Sequence, residues 1–140
     1  FLEILYTPSA MIIAQAVIAT PIVMGISLAA IQQLPRKLRL QILALGATRL
    51  QMVLVLIREA KLALLAAVMA GFGGVISEVG ASIMVGGNIM GYTRVLTTAT
   101  VMETSRGNFD IAIALSIILL LFAYLINLVL TYVQQRERPR

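Results

Sequence analysis
The chain has 140 residues, of which 60% are apolar and only 12% charged, with a formal net charge of +5 and neither His nor Cys. Soluble domains carry about 45–50% apolar and about 25% charged residues, so this balance excludes a soluble globular enzyme, a disordered tail and a fibrous repeat, and points to an integral membrane protein. Without His or Cys there is no Cys nucleophile, no Ser-His-Asp triad, no ordinary zinc or haem site and no disulfide, so neither cofactor nor metal is expected.

The first element is an uncharged run of 22 residues, Ala10 to Ile31. A hydrocarbon core ~30 Å thick needs about 20 helical residues, so this run spans alone. Pro21 lies inside it and is expected to kink it. The run follows Glu3 and lacks a basic flank, so it does not read as a signal peptide.

Residues 32 to 61 form a basic connection with Arg36, Lys37, Arg39, Arg49, Arg58 and Lys61 against one acid, Glu59. It opens on Leu34-Pro35, and from Arg36 the spacing of Leu38, Ile42 and Leu45 is helical. Gly46 interrupts, and Thr48 with Gln51 has the spacing of a capping box, so a second helix is expected from Arg49. The expectation is two short helices meeting at a Gly-Ala corner under the membrane, over residues 34–58. Two readings stay open: a helix pair resting on lipid, or a docking surface.

Leu62 to Ser77 is uncharged over 16 residues, and after Glu78 another uncharged run reaches Thr93. A span over about 62–80 is expected. Ala67, Ala70, Gly71 and Gly74 give small-xxx-small pairs suited to close helix packing or to a pore lining. Glu78 either braces a pathway or sits at the outer interface. A carboxylate is a poor ligand for a dianion, so Glu78 is expected to act through hydroxyls or backbone N–H groups. Gly80, Gly86, Gly87 and Gly91 suggest a bent or re-entrant segment.

Residues 81–110 are expected to be an outer loop. It holds Thr93, Thr97, Thr98, Thr100, Thr104 and Ser105 together with Arg94 and Arg106. It either meets an anion or its carrier, or is simply solvated. The third span is Ile111 to Val133, 23 residues, with Asn127 placed to hydrogen-bond across helices. A tail with Arg136, Arg138 and Arg140 against Glu137 follows.

Basic residues concentrate on the cytoplasmic side. The 32–61 connection and the C-terminus are therefore expected inside, and 78–110 outside. This bias accounts for the positive charge without nucleic acid. The N-terminus then starts outside with neither Met nor export segment, so the chain is expected to be an N-terminally truncated piece of a longer protein.

Ala44-Leu45-Gly46-Ala47-Thr48-Arg49, followed by an apolar stretch leading into a span, resembles the cytoplasmic coupling loop of binding-protein-dependent ABC importer permeases. In that family a Glu-Ala-Ala precedes the glycine, and here those positions are Leu40, Gln41 and Ile42. Ile76-Ser77-Glu78-Val79-Gly80-Ala81-Ser82, Val85-Gly86-Gly87-Asn88-Ile89 and Gly91-Tyr92-Thr93-Arg94 are similar to the stretch found in oxyanion permeases, in wording most like those for tungstate. The family often has Arg where this chain has Gly74, four residues before Glu78, so that ion-pair partner is missing here.

The resemblance implies an all-α polytopic bundle, the core of a type I importer permease, with three spans visible. It implies no catalysis in this subunit, since a separate cytoplasmic ATPase supplies the energy. Gln41, Ala44, Leu45, Gly46, Ala47 and Thr48 would meet that ATPase. Ser77, Glu78, Gly80, Ala81, Ser82, Gly86, Gly87 and Asn88 would line or gate the path, and Ala67, Ala70, Gly71 and Gly74 would pack helices. Implied partners are the ATPase, an extracytoplasmic oxyanion-binding protein, a second copy and the lipid bilayer. The expected cargo is tungstate, with molybdate or sulfate as alternatives. A small channel or scaffold without ATPase coupling is the competing class. An intramembrane enzyme is disfavoured because Glu78 has no acid–base partner.

Overall fold
A computed structural model describes residues 4–136. Glu3, Glu137, Arg138 and Arg140, named above, lie outside the described residues. The described chain is all-helical, with α1 (Pro8–Gln32), α2 (Arg36–Ala44), α3 (Arg49–Glu59), α4 (Lys61–Ile76), α5 (Gly80–Gly86), α6 (Leu96–Ser105) and α7 (Phe109–Arg136). α1 and α7 are each long and apolar enough to cross a membrane. α4 and α5 meet at 64°, and count as a third span if the bent pair is taken as one.

α1 starts where Thr7 accepts a hydrogen bond from the Ala10 N–H and Pro8 occupies the first turn, a position that needs no amide donor. The helix continues through Pro21 without ending. Its last turn gives way to Gln33-Leu34-Pro35, and α2 follows directly.

The α2–α3 corner closes as a Schellman turn. The Gly46 N–H donates to the Leu43 carbonyl at 2.9 Å and the Ala47 N–H to the Ile42 carbonyl at 3.3 Å. Gly46 takes φ +77°, which a Cβ disfavours. Thr48 then opens α3 with both arms of a capping box to Gln51. Ala60 alone separates α3 from α4, so these two helices are almost continuous.

α1 lies along α4 and α5 and forms the tightest packing of the molecule. Ala67 on α4 is fully buried, and Gly71 lies one turn further along the same face. The span anticipated over 62–80 is not one straight helix, because α4 stops at Ile76. Ser77 Oγ donates back to the carbonyls of Gly73 and Gly74, and Glu78 caps the next helix, so the chain turns at 77–79.

The anticipated outer loop over 81–110 also contains helix, α5 and α6. Most of its hydroxyls are engaged within the fold. Thr100, Thr104 and Ser105 each donate to the carbonyl four residues earlier, and Thr98 is fully buried against the Val95 backbone. A run rich in Thr therefore reads as a loop yet forms a helix, because back-bonding satisfies the hydroxyls. α6 and α7 form a hairpin turned by Gly107 at φ +81°, where Glu103 receives both Arg106 Nη1 at 3.1 Å and Asn108 Nδ2 at 2.7 Å. Asn127 does not reach another helix; its Nδ2 donates to the Ala123 carbonyl of α7 itself. The cross-link near that end comes from Gln134, whose Nε2 donates to the Leu62 carbonyl on α4.

Candidate functional site
Two regions hold the residues singled out by sequence: the α2–α3 corner and the α4–α5 bend. At the corner Gln41 and Ala44 end α2, Leu45 is its C-cap, Gly46 makes the left-handed turn, Ala47 follows and Thr48 caps α3. Five of these six are exposed and Ala47 is half-buried. Leu45 projects furthest, at 87% exposure, and Leu50, five residues on in α3, is 72% exposed. The corner is thus a rigid turn with an apolar tip, held by backbone bonds and a cap.

At the bend, Glu78 Oε1 accepts the Ala81 N–H at 2.9 Å. This satisfies an amide at the start of α5 that would otherwise lack a partner. Ser82 Oγ donates to the Glu78 carbonyl at 3.3 Å and accepts Gln15 Nε2 from α1, also at 3.3 Å. Ser82 is 1% exposed, so this polar link lies inside the packing. α5 ends at Gly87, with φ +70°. Beyond it, Asn88 accepts Arg94 Nε on its side chain and Arg94 Nη2 on its carbonyl, at 3.3 and 3.4 Å.

The eight residues expected along a path do not share one surface. Ser82 and Gly86 are buried, and the face of Gly86 is closed by Met11; Ser77, Gly80 and Gly87 are exposed; Glu78, Ala81 and Asn88 are intermediate. A cleft of about 410 Å³ lies between α1, α4, α6 and α7, walled by Phe72, Ile76, Leu96 and Phe122 with Gln15 and Thr97 as its polar groups. None of the eight lines it. With no cation on its wall the cleft has no complement for a dianion.

Of the four packing residues, Ala67 and Gly71 are buried where α1 crosses, and Gly74 faces Ile22 of α1. Ala70 is exposed and points away from this contact. Sequence reasoning missed Gln15 and Met11 on α1 and the Arg39 contact to α1. Gln15 had a signal, being the one amide side chain in the first uncharged run. Met11 and Arg39 had none: one looks like any apolar residue, the other like any basic one.

The family model described as binding-protein-dependent transport system inner membrane component matches residues 2–139. The chain belongs to this family. As a binding-protein-dependent inner membrane component it has curated relatives among anion permeases. It is 42% identical over 135 residues to the tungstate uptake system permease protein TupB of Peptoclostridium acidaminophilum, covering 96% of this chain and 59% of that protein. It is 41% identical over 130 residues to a probable anion ABC transporter permease protein of Haloferax volcanii, covering 89% and 56%. The TupB of Campylobacter jejuni is 36% identical over 126 residues, covering 90% and 53%. The chain thus spans a little over half the length of these relatives. No solved structure matches it. The family expected from the corner and from residues 76–94 is the family found, and the all-helical membrane fold agrees with it.

Proposed function
We propose that this chain belongs to a permease subunit in an ATP-driven importer of tungstate or a related tetrahedral oxyanion. The observation that carries the reading is the 42% identity to a tungstate uptake permease across 96% of the chain. In this reading the exposed corner of Gln41, Ala44, Leu45, Gly46, Ala47 and Thr48 docks into a cytoplasmic ATPase. Shape and apolar contact suffice there, since Leu45 stands free and the turn is rigid. The subunit hydrolyses nothing itself. Two copies enclose the path, and a separate extracytoplasmic binding protein delivers and selects the anion.

The basic residues of α2 and α3 support a cytoplasmic corner and C-terminus, with the α4–α5 bend and α6 toward the outside. Spans over about 10–31, 62–80 and 111–133 fit that orientation, the second with its bend near the outer face. Ser77, Glu78, Gly80, Ala81, Ser82, Gly86, Gly87 and Asn88 then form the gate segment beside the path. Their role is to fix the bend while side chains of other helices meet the anion.

The test uses the full-length permease, expressed with a candidate ATPase and a candidate anion-binding protein from the same organism. The wild type should co-purify with the ATPase and drive tungstate uptake into vesicles in the presence of ATP. Gly46→Glu should insert normally yet lose the ATPase, because it adds bulk and charge at the turn. Unchanged ATPase binding by that variant overturns the docking assignment. Preference for molybdate or sulfate selects that anion within the class, uptake of none of the three overturns the cargo, and ATP-independent flux would favour a channel.

A further inference from the structure
Arg39 lies on α2 but spends its guanidinium on α1. Its Nη2 donates to the Ile31 carbonyl in the last turn of α1 at 3.1 Å. The end of a helix carries partial negative charge on such carbonyls, so a cation there is held by both hydrogen bond and dipole. Nε of the same side chain is buried and has no partner among the described residues. An arginine placed only to supply positive charge would leave its head in water.

Two turns inside the N-terminal end of α1, about 24 Å from Ile31 along the helix, Gln15 Nε2 donates to Ser82 Oγ on α5. Ser82 in turn donates to the Glu78 carbonyl inside the bend. Between the two bonds α1 is one helix that continues through Pro21, and it presses on Gly71 of α4 through Val23 and Ala19, although a groove of about 300 Å³ runs beside that contact. The backbone joins α2 to α1 through Gln33-Leu34-Pro35, a joint that Arg39 braces, and it offers another route from the corner, through α3, Ala60 and α4. That route meets the break at 77–79 before it reaches α5.

We infer that Arg39 and Gln15 are positioning residues forming a side-chain linkage, through α1 as a rigid rod, that carries displacement of the α2–α3 corner to α5 past the break at 77–79. This rests on the reading of the corner as the ATPase dock. Arg39 ties the corner to the rod, and the Gln15–Ser82 bond ties the rod to the far side of the bend. Motion imposed on α2 then reaches the bend in step with motion through α3 and α4, which is the rigid-body switching a packed bundle permits.

The experiment uses the full-length permease with its ATPase in vesicles. The chain has no Cys, and any Cys outside it is replaced by Ser, so spin labels go on Met84→Cys in α5 and Phe109→Cys at the start of α7, both exposed. The distance between them is read with and without trapped ATP. The labelled wild type should shift on ATP. Arg39→Met should still bind the ATPase and hydrolyse ATP but lose most of the shift and at least tenfold in uptake. Arg39→Lys, which keeps a donor for the Ile31 carbonyl, should retain both. Gln15→Met and Ser82→Ala should each lose the shift, and the double variant should be no worse than either alone. If Arg39→Met does not fold, the Gln15 and Ser82 variants decide the matter. A full shift in them, or in Arg39→Met, overturns the linkage, as does a wild type that binds and hydrolyses but shows no shift. A wild type that binds no ATPase overturns the docking reading instead.

Discussion
Gly71 and Val23 approach so closely that a Cβ on Gly71 would lie 2.4 Å from Val23 Cγ2. This contact sets the spacing of α1 and α4. Val23 is β-branched and holds one χ1 rotamer in a helix, so it cannot swing aside. In lipid there is little hydrophobic drive between helices, and such backbone approach supplies much of the association.

Gly71→Ala should therefore destabilise the bundle by about 1–3 kcal/mol through overpacking. Gly73, four residues before Ser77 at the break, has nothing within 4 Å of where a Cβ would sit. Gly73→Ala should be neutral or stabilising by about 0.5–1 kcal/mol. Thermal unfolding of the two variants in detergent measures the difference. Equal melting temperatures would mean that α1 does not set the spacing.

Glu78 offers a separate test, because its carboxylate acts on a backbone amide. Glu78→Gln keeps an acceptor oxygen and should preserve the bend. Glu78→Ala should weaken it by about 1 kcal/mol, the usual worth of a cap. Hydrogen exchange at the Ala81 amide reports this directly, with faster exchange expected in the alanine variant alone. Fast exchange in both variants would assign the requirement to charge.

At the corner, two substitutions should act on stability by different routes. Gly46→Ala adds a Cβ in a left-handed backbone and should cost about 1–2 kcal/mol, although the space around it is open. Thr48→Ala removes the capping-box hydroxyl and should cost about 1 kcal/mol. Thr48→Ser keeps the hydroxyl and should cost little. Proteolysis within residues 45–48 would measure the opening of the turn, with the order alanine at 46, alanine at 48, serine at 48, wild type from most to least susceptible.

Local chemistry made the corner readable: Gly46, Thr48 and Gln51 act within their own neighbourhood, and each was legible from spacing. The family was legible too, from motifs around Gly46 and Glu78. What escaped were features decided by contacts distant in sequence. Ala70 and Gly74 have the same small-residue spacing as Ala67 and Gly71, but only the position of α1 decides that Gly74 packs with Ala67 and Gly71 while Ala70 stays exposed. The Thr-rich stretch looked like a loop, because hydroxyl back-bonding leaves no mark in composition. Asn127 looked like a cross-helix donor, yet its own helix offered a carbonyl four residues away.

Gly86 and Met11 make a pair that separates crowding from intrinsic backbone cost. A Cβ on Gly86 would lie 2.6 Å from Met11 Sδ, and both residues are buried. Met has three flexible torsions, so it yields more readily than Val23. Gly86→Ala alone should destabilise by about 1 kcal/mol, less than Gly71→Ala. Met11→Ala alone should cost about 2–5 kcal/mol if the gap stays empty, and less if α5 moves in. In the double variant the new methyl occupies part of the gap, so the two losses should sum to more than the measured loss by about 0.5–3 kcal/mol, the coupling expected of residues in contact. Detergent unfolding of the four-member cycle gives the coupling energy, and strict additivity would mean that α1 and α5 are not packed at this point.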